Sequence, residues 1–232
     1  MDQSLLLRTL SRFAQALPRG YDIEAVLPDL TDSVVAVLGV SGSGVTLARN
    51  DRLEFAIAVG VPYEGLEKVQ VQFQAGPCHD AFQDGQPVAV RDLHDTQDRW
   101  PEYCRAALGV GVHAVAGIPM SLAGHPVGAL NLYSNEPRDW SAEELAGAQV
   151  LADVATGYVV NASKVHQLEQ LTEQLQYALD ARVVIEQAKG IIARHNDISV
   201  QEAYQRIRRH ARSANASVRT VSEAIVNVGL RL

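Results

Sequence analysis

Cysteine is scarce in this chain of 232 residues: Cys78 and Cys104 are the only two. That count excludes a disulfide framework and points to a reducing cytoplasm as the location. Long hydrophobic runs are missing too. No apolar stretch approaches the ~18 residues needed to cross a bilayer, so no membrane partner is expected. The opening segment, "MDQSLLLRTLSRFAQALP", sets Arg8 and Arg12 among its leucines and lacks the apolar core and cleavage site of a signal peptide. It reads as an amphipathic helix. The seven histidines show no His-x-x-x-His spacing, and no metal site is expected. The glycine-rich run "GVSGSG", residues 39–44, lacks the Gly-Lys pair of a phosphate-binding loop. It also runs from helix into strand, the reverse of a dinucleotide loop. With no Ser-His-Asp grouping to argue for, the sequence requires no catalytic residue, no cofactor and no enzymatic activity.

Proline disappears after Pro137, although nine occur up to and including that residue. Because proline is excluded from helix interiors, its loss over nearly a hundred residues marks a change of regime. What is present fits that division. Hydrophobic residues at 47% and charged residues at 20% are globular composition, not that of a disordered chain. Residues 22–38 carry apolar side chains at helical spacing (Val26, Leu30, Val34, Leu38). "VTLARNDRLEFAIAVG" predicts a hairpin turning at Asn50-Asp51, and "HAVAGIPMSLAGHPVGALNLYS" a second one turning over residues 123–126. Between them, "PVAVRDL" reads as a short strand, and "AGPCHDAFQDG" and "WPEYCRAALG" as short helices.

After Pro137, Ser141 and Glu144 form a capping box that opens a helix running to about Arg194. Leu151, Val154, Tyr158, Val165, Leu168, Leu175 and Leu179 fall at alternating three- and four-residue spacings, interrupted by Asn161 and Thr172. That is a heptad seam with polar positions of the kind that fix register in a parallel dimer. Its first half could equally pack against the protein's own sheet. A second capping box, Ser199 and Glu202, opens another helix, and a third runs from about Ser217 to Gly229. Their core stripes are Ala203, Ile207, Ala211 and Ala214, then Val218, Val221, Ile225 and Val228.

Charge is unevenly spread. From Tyr177 onward nine basic side chains face five acidic ones, a net of +4, so the total of −7 leaves −11 for everything before. An acidic body with a basic tail suits a tail that touches an anion, although a solvated helical face has the same composition.

Residues 178–226 carry the run "RVVIEQAKGI", then "SVQEAYQRIR", then "ARSAN" and a final small helix. In that order and spacing they resemble an ANTAR domain, with Ser222 where the family usually has alanine. Across about residues 10–160, "GPCHDAF", "VAVRDL", "WPEY", "AVAGIPM", "GHPVGALNLY" and "WSAEE" are similar to a GAF domain. The resemblance implies an α+β fold: a GAF-type antiparallel sheet flanked by helices, then a long coiled-coil-like helix leading into a three-helix ANTAR bundle. It divides the chain into a GAF sensor at 1–160, a helical linker at 161–177 and an ANTAR RNA-binding domain at 178–232. It implies a homodimer that captures paired RNA stem-loops and prevents transcription termination, with the GAF part receiving a signal.

Phosphate binding needs clustered cations. On the middle helix of the tail Gln205, Arg208 and Arg212 form one stripe opposite the alanine face, flanked by Arg209. Lys189, Arg194 and Arg219 come from the neighbouring helices; Lys189 has Glu186 as an alternative partner. These six cations are the expected RNA contacts. A DNA-binding regulator, or a sensor acting through protein contacts alone, would also fit a three-helix tail. For the GAF part, Asp92, Trp100 and Tyr133 are the expected liners of a pocket for an unidentified small molecule. Covalent bilin attachment is disfavoured, since Arg99, Trp100 and Pro101 stand where the attachment cysteine would lie. Haem ligation by His79 or His113 has no support in the sequence. Cys78, in the first turn of a helix opened by Gly76 and Pro77, is a candidate redox thiol through a lowered pKa. The plainer reading is a helix start with a half-buried cysteine.

Overall fold

The computed structural model describes residues 1–17, 23–49 and 52–232. The chain forms two compact units, Met1–Ser163 and Lys164–Leu232. In the first, two helices, α1 (Gln3–Ala16) and α2 (Ile23–Leu38), precede the strands β1 (Gly42–Arg49) and β2 (Arg52–Val59). There follow α3 (Val61–Phe73), α4 (Pro77–Asp84), β3 (Val88–Val90), a 3-10 turn at Leu93–Thr96 and α5 (Pro101–Gly109). The hairpin of β4 (Ala114–Leu122) and β5 (His125–Ser134) leads into α6 (Ala142–Asn196). The five strands lie in the order β2-β1-β5-β4-β3, and all neighbours are antiparallel. Both expected hairpins form. The Asn50-Asp51 turn lies outside the described residues. The second turn is tighter than expected: only Ala123 (φ 50°) and Gly124 (φ 81°) turn the chain, while His125 and Pro126 already pair with Leu122 and Ser121. Positive φ at both central residues is the two-residue hairpin geometry whose twist matches that of the strands.

Strand alternation sorts the sheet into two faces. Val45, Ala116, Ile118, Met120, Leu130 and Leu132 belong to a core with Leu30, Val34, Val37 and Leu38 of α2, Phe13 of α1, and Leu151, Ala155 and Tyr158 of α6. Each fully buried Leu or Ile here contributes roughly 1.5–3 kcal/mol. Tyr158 adds a hydrogen bond from its hydroxyl to the Phe13 carbonyl at 2.6 Å and an edge-on contact with the Phe13 ring. The first half of the heptad pattern is therefore intramolecular core: Leu151 and Tyr158 are buried, and Val154 packs beside them. Capping of α6 is as the sequence predicts, with Glu144 N–H donating to Ser141 Oγ at 3.2 Å and Ser141 N–H to Glu144 Oε2 at 3.0 Å.

The opposite face takes α3, α4 and α5. Gly44 and Gly117 sit on either side of Asn131 in the strand register. A side chain on either glycine would collide with a helix: a Cβ on Gly44 would fall 2.0 Å from Glu67 Oε1, and one on Gly117 2.6 Å from the Pro77 carbonyl oxygen. Two of the three glycines of "GVSGSG" thus have a packing role, since Gly42 gives the same room to Tyr63. α3 is a helix that periodicity does not announce. Its buried stripe is Tyr63, Leu66, Glu67 and Gln70, half of it polar, so the apolar pattern is too sparse to read.

In the second unit the remainder of α6 packs with α7 (Val200–Ser213), α8 (Val218–Glu223) and a π-helical turn at Ala224–Val228. The core is Ala188, Ile192, Ala203, Ile207, Ala211, Val221 and Ile225. Ala214 and Val228 leave the predicted stripes. Ala214 caps α7 and is exposed, and Val228, at the end of the π turn before Gly229 (φ 75°), is 84% exposed. The Ser199–Glu202 capping box is complete. No helix among the described residues is long and apolar enough to cross a membrane.

Gly117→Ala should lower unfolding free energy by about 1–3 kcal/mol, because backbone atoms of α4 must yield. Gly65→Ala, in the exposed middle of α3 with open space around it, should raise it by up to about 1 kcal/mol. Chemical denaturation of the two variants measures both; equal effects would contradict the close approach of α4 to β4.

Candidate functional site

In the first unit a carboxylate is buried against the sheet. Glu67 is completely inaccessible and accepts from Asn131 Nδ2 with both oxygens at 2.8 Å and from Tyr133 Oη at 2.7 Å. Burial outweighs these hydrogen bonds and pushes its pKa up to about 7. Around it Gln70 Nε2, Tyr103 Oη and Asn131 Oδ1 are buried without a hydrogen-bond partner among the described residues. Gln70 spends its carbonyl oxygen on the Cys78 N–H at 3.0 Å.

Cys78 does sit in the first turn of α4, with Gly76 at the N-cap and Gly85 at the C-cap. It is fully buried, not half-buried, and its Sγ lies 3.0 Å from Thr46 Oγ1. Burial, then the charge of Glu67, raises its pKa. The lowered pKa expected of a redox thiol is therefore corrected: desolvation overrides the helix terminus. Two of the expected pocket liners are also core. Trp100 (3% exposed) and Tyr133 (fully buried) share one cluster with Leu66, Leu93, Tyr103 and Val115, and the Tyr133 ring stacks on Tyr63 at 5.0 Å. The third, Asp92, is partly exposed. It caps the 3-10 turn by accepting from the His94 N–H at 3.0 Å, which together with the His94 ring holds its carboxyl below the usual range. Sequence spacing kept His94 and His113 apart, yet their rings face each other at 5.6 Å beside Asp92.

In the second unit the six expected RNA contacts divide by partner. Lys189 is engaged by Glu186, with both carboxylate oxygens at 2.8 Å. Arg219 donates from Nε to Glu223 at 2.8 Å and lays its guanidinium 4.0 Å over the Tyr177 ring. Nothing in the spacing of Tyr177 and Arg219 foretells that contact. Arg194, Arg209 and Arg212 are exposed, and Arg208 stacks over Tyr204 at 5.8 Å, the same ring that Lys189 approaches at 5.6 Å. None of these four arginines has an acidic partner among the described residues. Arg206, which charge counting did not single out, donates to Asn196 Oδ1 at 3.0 Å and so ties α7 to the end of α6. Upstream, Val165, Leu168, Leu171, Leu175 and Leu179 are 46–62% exposed, on a stretch of α6 where every residue from 164 to 180 is exposed.

The Glu67 network makes a pH prediction. With a folded pKa of about 7 against an ordinary 4.5, the protonated form is the one the fold accommodates. The stabilisation is complete below about pH 4.5 and is lost as pH rises through 7, a change on the order of 3 kcal/mol. Glu67→Gln, neutral throughout, should flatten that slope in thermal melts between pH 5 and 8. An unchanged slope would assign the pH dependence to other groups.

A GAF domain model matches residues 22–158 and an ANTAR domain model residues 173–226. No curated protein matches the chain. Among solved structures, the GAF domain of an Acinetobacter phosphoenolpyruvate-protein phosphotransferase is 19% identical with a TM-score of 0.57, covering 72% of this chain and 99% of that one. Free methionine-R-sulfoxide reductase from Neisseria meningitidis, solved with its substrate, is 18% identical with a TM-score of 0.55, covering 70% and 92%. The cyanobacteriochrome TePixJ GAF domain is 19% identical with a TM-score of 0.50, covering 65% and 94%. At these identities the likeness is one of fold. With the GAF model matching more than half of the chain and the ANTAR model following it, the chain belongs to the GAF-domain proteins that carry a C-terminal ANTAR domain.

Proposed function

We propose that this chain is a cytoplasmic, signal-responsive regulator that binds paired RNA stem-loops through residues 178–232 and thereby prevents transcription termination. In this reading residues 1–160 form the sensor for a small-molecule signal and residues 161–177 the linker. Both domain types are regulatory, and no catalytic role is assigned. The observation that carries the reading is the match of an ANTAR model to residues 173–226 over a unit whose Arg194, Arg208, Arg209 and Arg212 lack acidic partners among the described residues. Unpaired guanidinium groups are available to phosphates and to the splayed bases of hairpin loops. Lys189 and Arg219, the other two expected contacts, are held by carboxylates. Their contribution to RNA binding would require exchange of those partners, and their substitution would also disturb packing.

Dimerisation is the second part of the reading. An isolated helix exposing Val165, Leu168, Leu175 and Leu179 along one seam leaves apolar area in water that a second copy would cover, at roughly 1.5–3 kcal/mol for each fully buried side chain. Thr172, also exposed, falls at a polar seam position that would set register.

Two experiments test these claims. In a salt series with paired hairpins, single hairpins and duplex DNA, the chain should prefer the paired hairpins. Arg208→Ala and Arg212→Ala should each lower the salt slope by about one unit per lost phosphate contact. Equal affinity for duplex DNA would favour a DNA-binding regulator, and no salt-dependent binding at all would leave a protein-contact module. Separately, Leu168→Glu combined with Leu175→Glu should convert a dimer to a monomer in sedimentation. A wild-type monomer at micromolar concentration would overturn the seam.

A further inference from the structure

We infer that Asp92, His94 and His113 form a binding site for a divalent ion of the zinc class on the first unit. One donor atom from each of the three lies within 4.8 Å of the others. Two imidazoles and a carboxylate are the donor set suited to Zn²⁺, Co²⁺, Ni²⁺ or Cu²⁺; Mg²⁺ and Ca²⁺ prefer all-oxygen shells. Three protein ligands leave further positions for water, as in open zinc sites.

The positions of the ligands are set by backbone that has little freedom to move. The Leu93 N–H donates to the His113 carbonyl at 2.8 Å, and the His113 N–H to the Ser134 carbonyl at 2.9 Å. Leu93, Val112 and Ala114, the neighbours of the two histidines, are fully buried. The 3-10 turn that follows β3 and the start of β4 are thus anchored side by side at one end of the sheet, which is how a site avoids the looseness of an unsupported loop. Asp92 Oδ1 already lies 2.8 Å from His94 Nδ1. Tetrahedral donors at zinc distances stand about 3.3 Å apart, so that pair needs little adjustment. His113 is half-buried, and the 52% exposed His94 side chain has the freedom to turn toward it and close the set. Arg91, next in sequence, is turned to Asp139 at 3.0 Å and does not occupy the carboxylate of Asp92. The alternative is a hydrogen-bonded Asp92–His94 pair with the His113 ring tilted against it and no ion.

The inference is independent of RNA binding, and its test does not use RNA. The untagged full chain, stripped with chelator, is titrated with Co²⁺ while its visible absorption is followed, and with Zn²⁺ by calorimetry. One ion per chain with a micromolar dissociation constant is expected, together with a rise in melting temperature on Zn²⁺ addition. His94→Ala, His113→Ala and Asp92→Asn should each weaken binding at least tenfold, and the double histidine variant should abolish the saturable signal. His166→Ala serves as the control; that histidine lies on the exposed stretch of α6 beside Gln170 and its loss should leave the titration unchanged. Circular dichroism establishes that each variant is folded. No saturable binding by the wild type, or binding that the three variants leave intact, overturns the site.

Discussion

Burial of Glu67 is the constraint on which the sheet face covered by α3, α4 and α5 depends. An ionisable side chain in a protein interior costs several kcal/mol unless hydrogen bonds receive it. Asn131 and Tyr133 supply them from a single strand, β5. For the carboxylate to reach that strand, α3 must lie closer to the sheet than a side chain on β1 would allow, and Gly44 removes that side chain. Gly117, in register on the other side of Asn131, does the same for α4, with Pro77 and Cys78 backbone atoms within about 3 Å of where its Cβ would lie. Cys78 is then sealed between Thr46 and Gln70, and its thiol chemistry is suppressed as a consequence of that packing.

This arrangement also explains which parts of the fold were legible in the sequence. Strand alternation, the capping boxes and the Gly-Pro start of α4 are local signals, and the elements they mark form where expected. α3 escaped because Glu67 and Gln70 occupy half of its buried stripe, so the residues that matter most to the sheet face are the ones that break the apolar period. "GVSGSG" was readable as glycine-rich but not as a cradle, since the groups that need the space, Tyr63 and Glu67, lie some twenty residues downstream. The tight Ala123-Gly124 turn was hidden by Pro126, a residue usually taken as loop. It is tolerated because Pro126 pairs near the strand end, beside the register shift after Met120.

A heptad pattern states that a helix has an apolar seam, not what covers it. In α6 the same periodicity serves two purposes. Leu151 and Tyr158 are covered by the sheet and by Phe13, where the aromatic edge contact and the hydroxyl–carbonyl bond give a fixed, intramolecular fit. From Val165 to Leu179 the seam is bare. Sequence period cannot separate these halves, because Leu at a seam position looks the same in both; only the composition of the facing element differs.

Arginine count likewise overstates what is free to meet an anion. Nine basic residues in the tail suggest one cationic surface, but several have structural employment. Arg206 is tied to Asn196, and Arg219 to Glu223 and Tyr177; both hold helices of the bundle together. A guanidinium that already satisfies a carboxylate and an aromatic face would give up both to bind phosphate, which reduces its net gain. An exposed arginine gives up only water. The difference between Arg219 on one hand and Arg194, Arg209 and Arg212 on the other is thus one of prior commitment rather than of charge. In the proposed reading, the arginines free to meet a polyanion are therefore those on α7 and at the end of α6, two helices whose junction is fixed by the Ser199–Glu202 capping box.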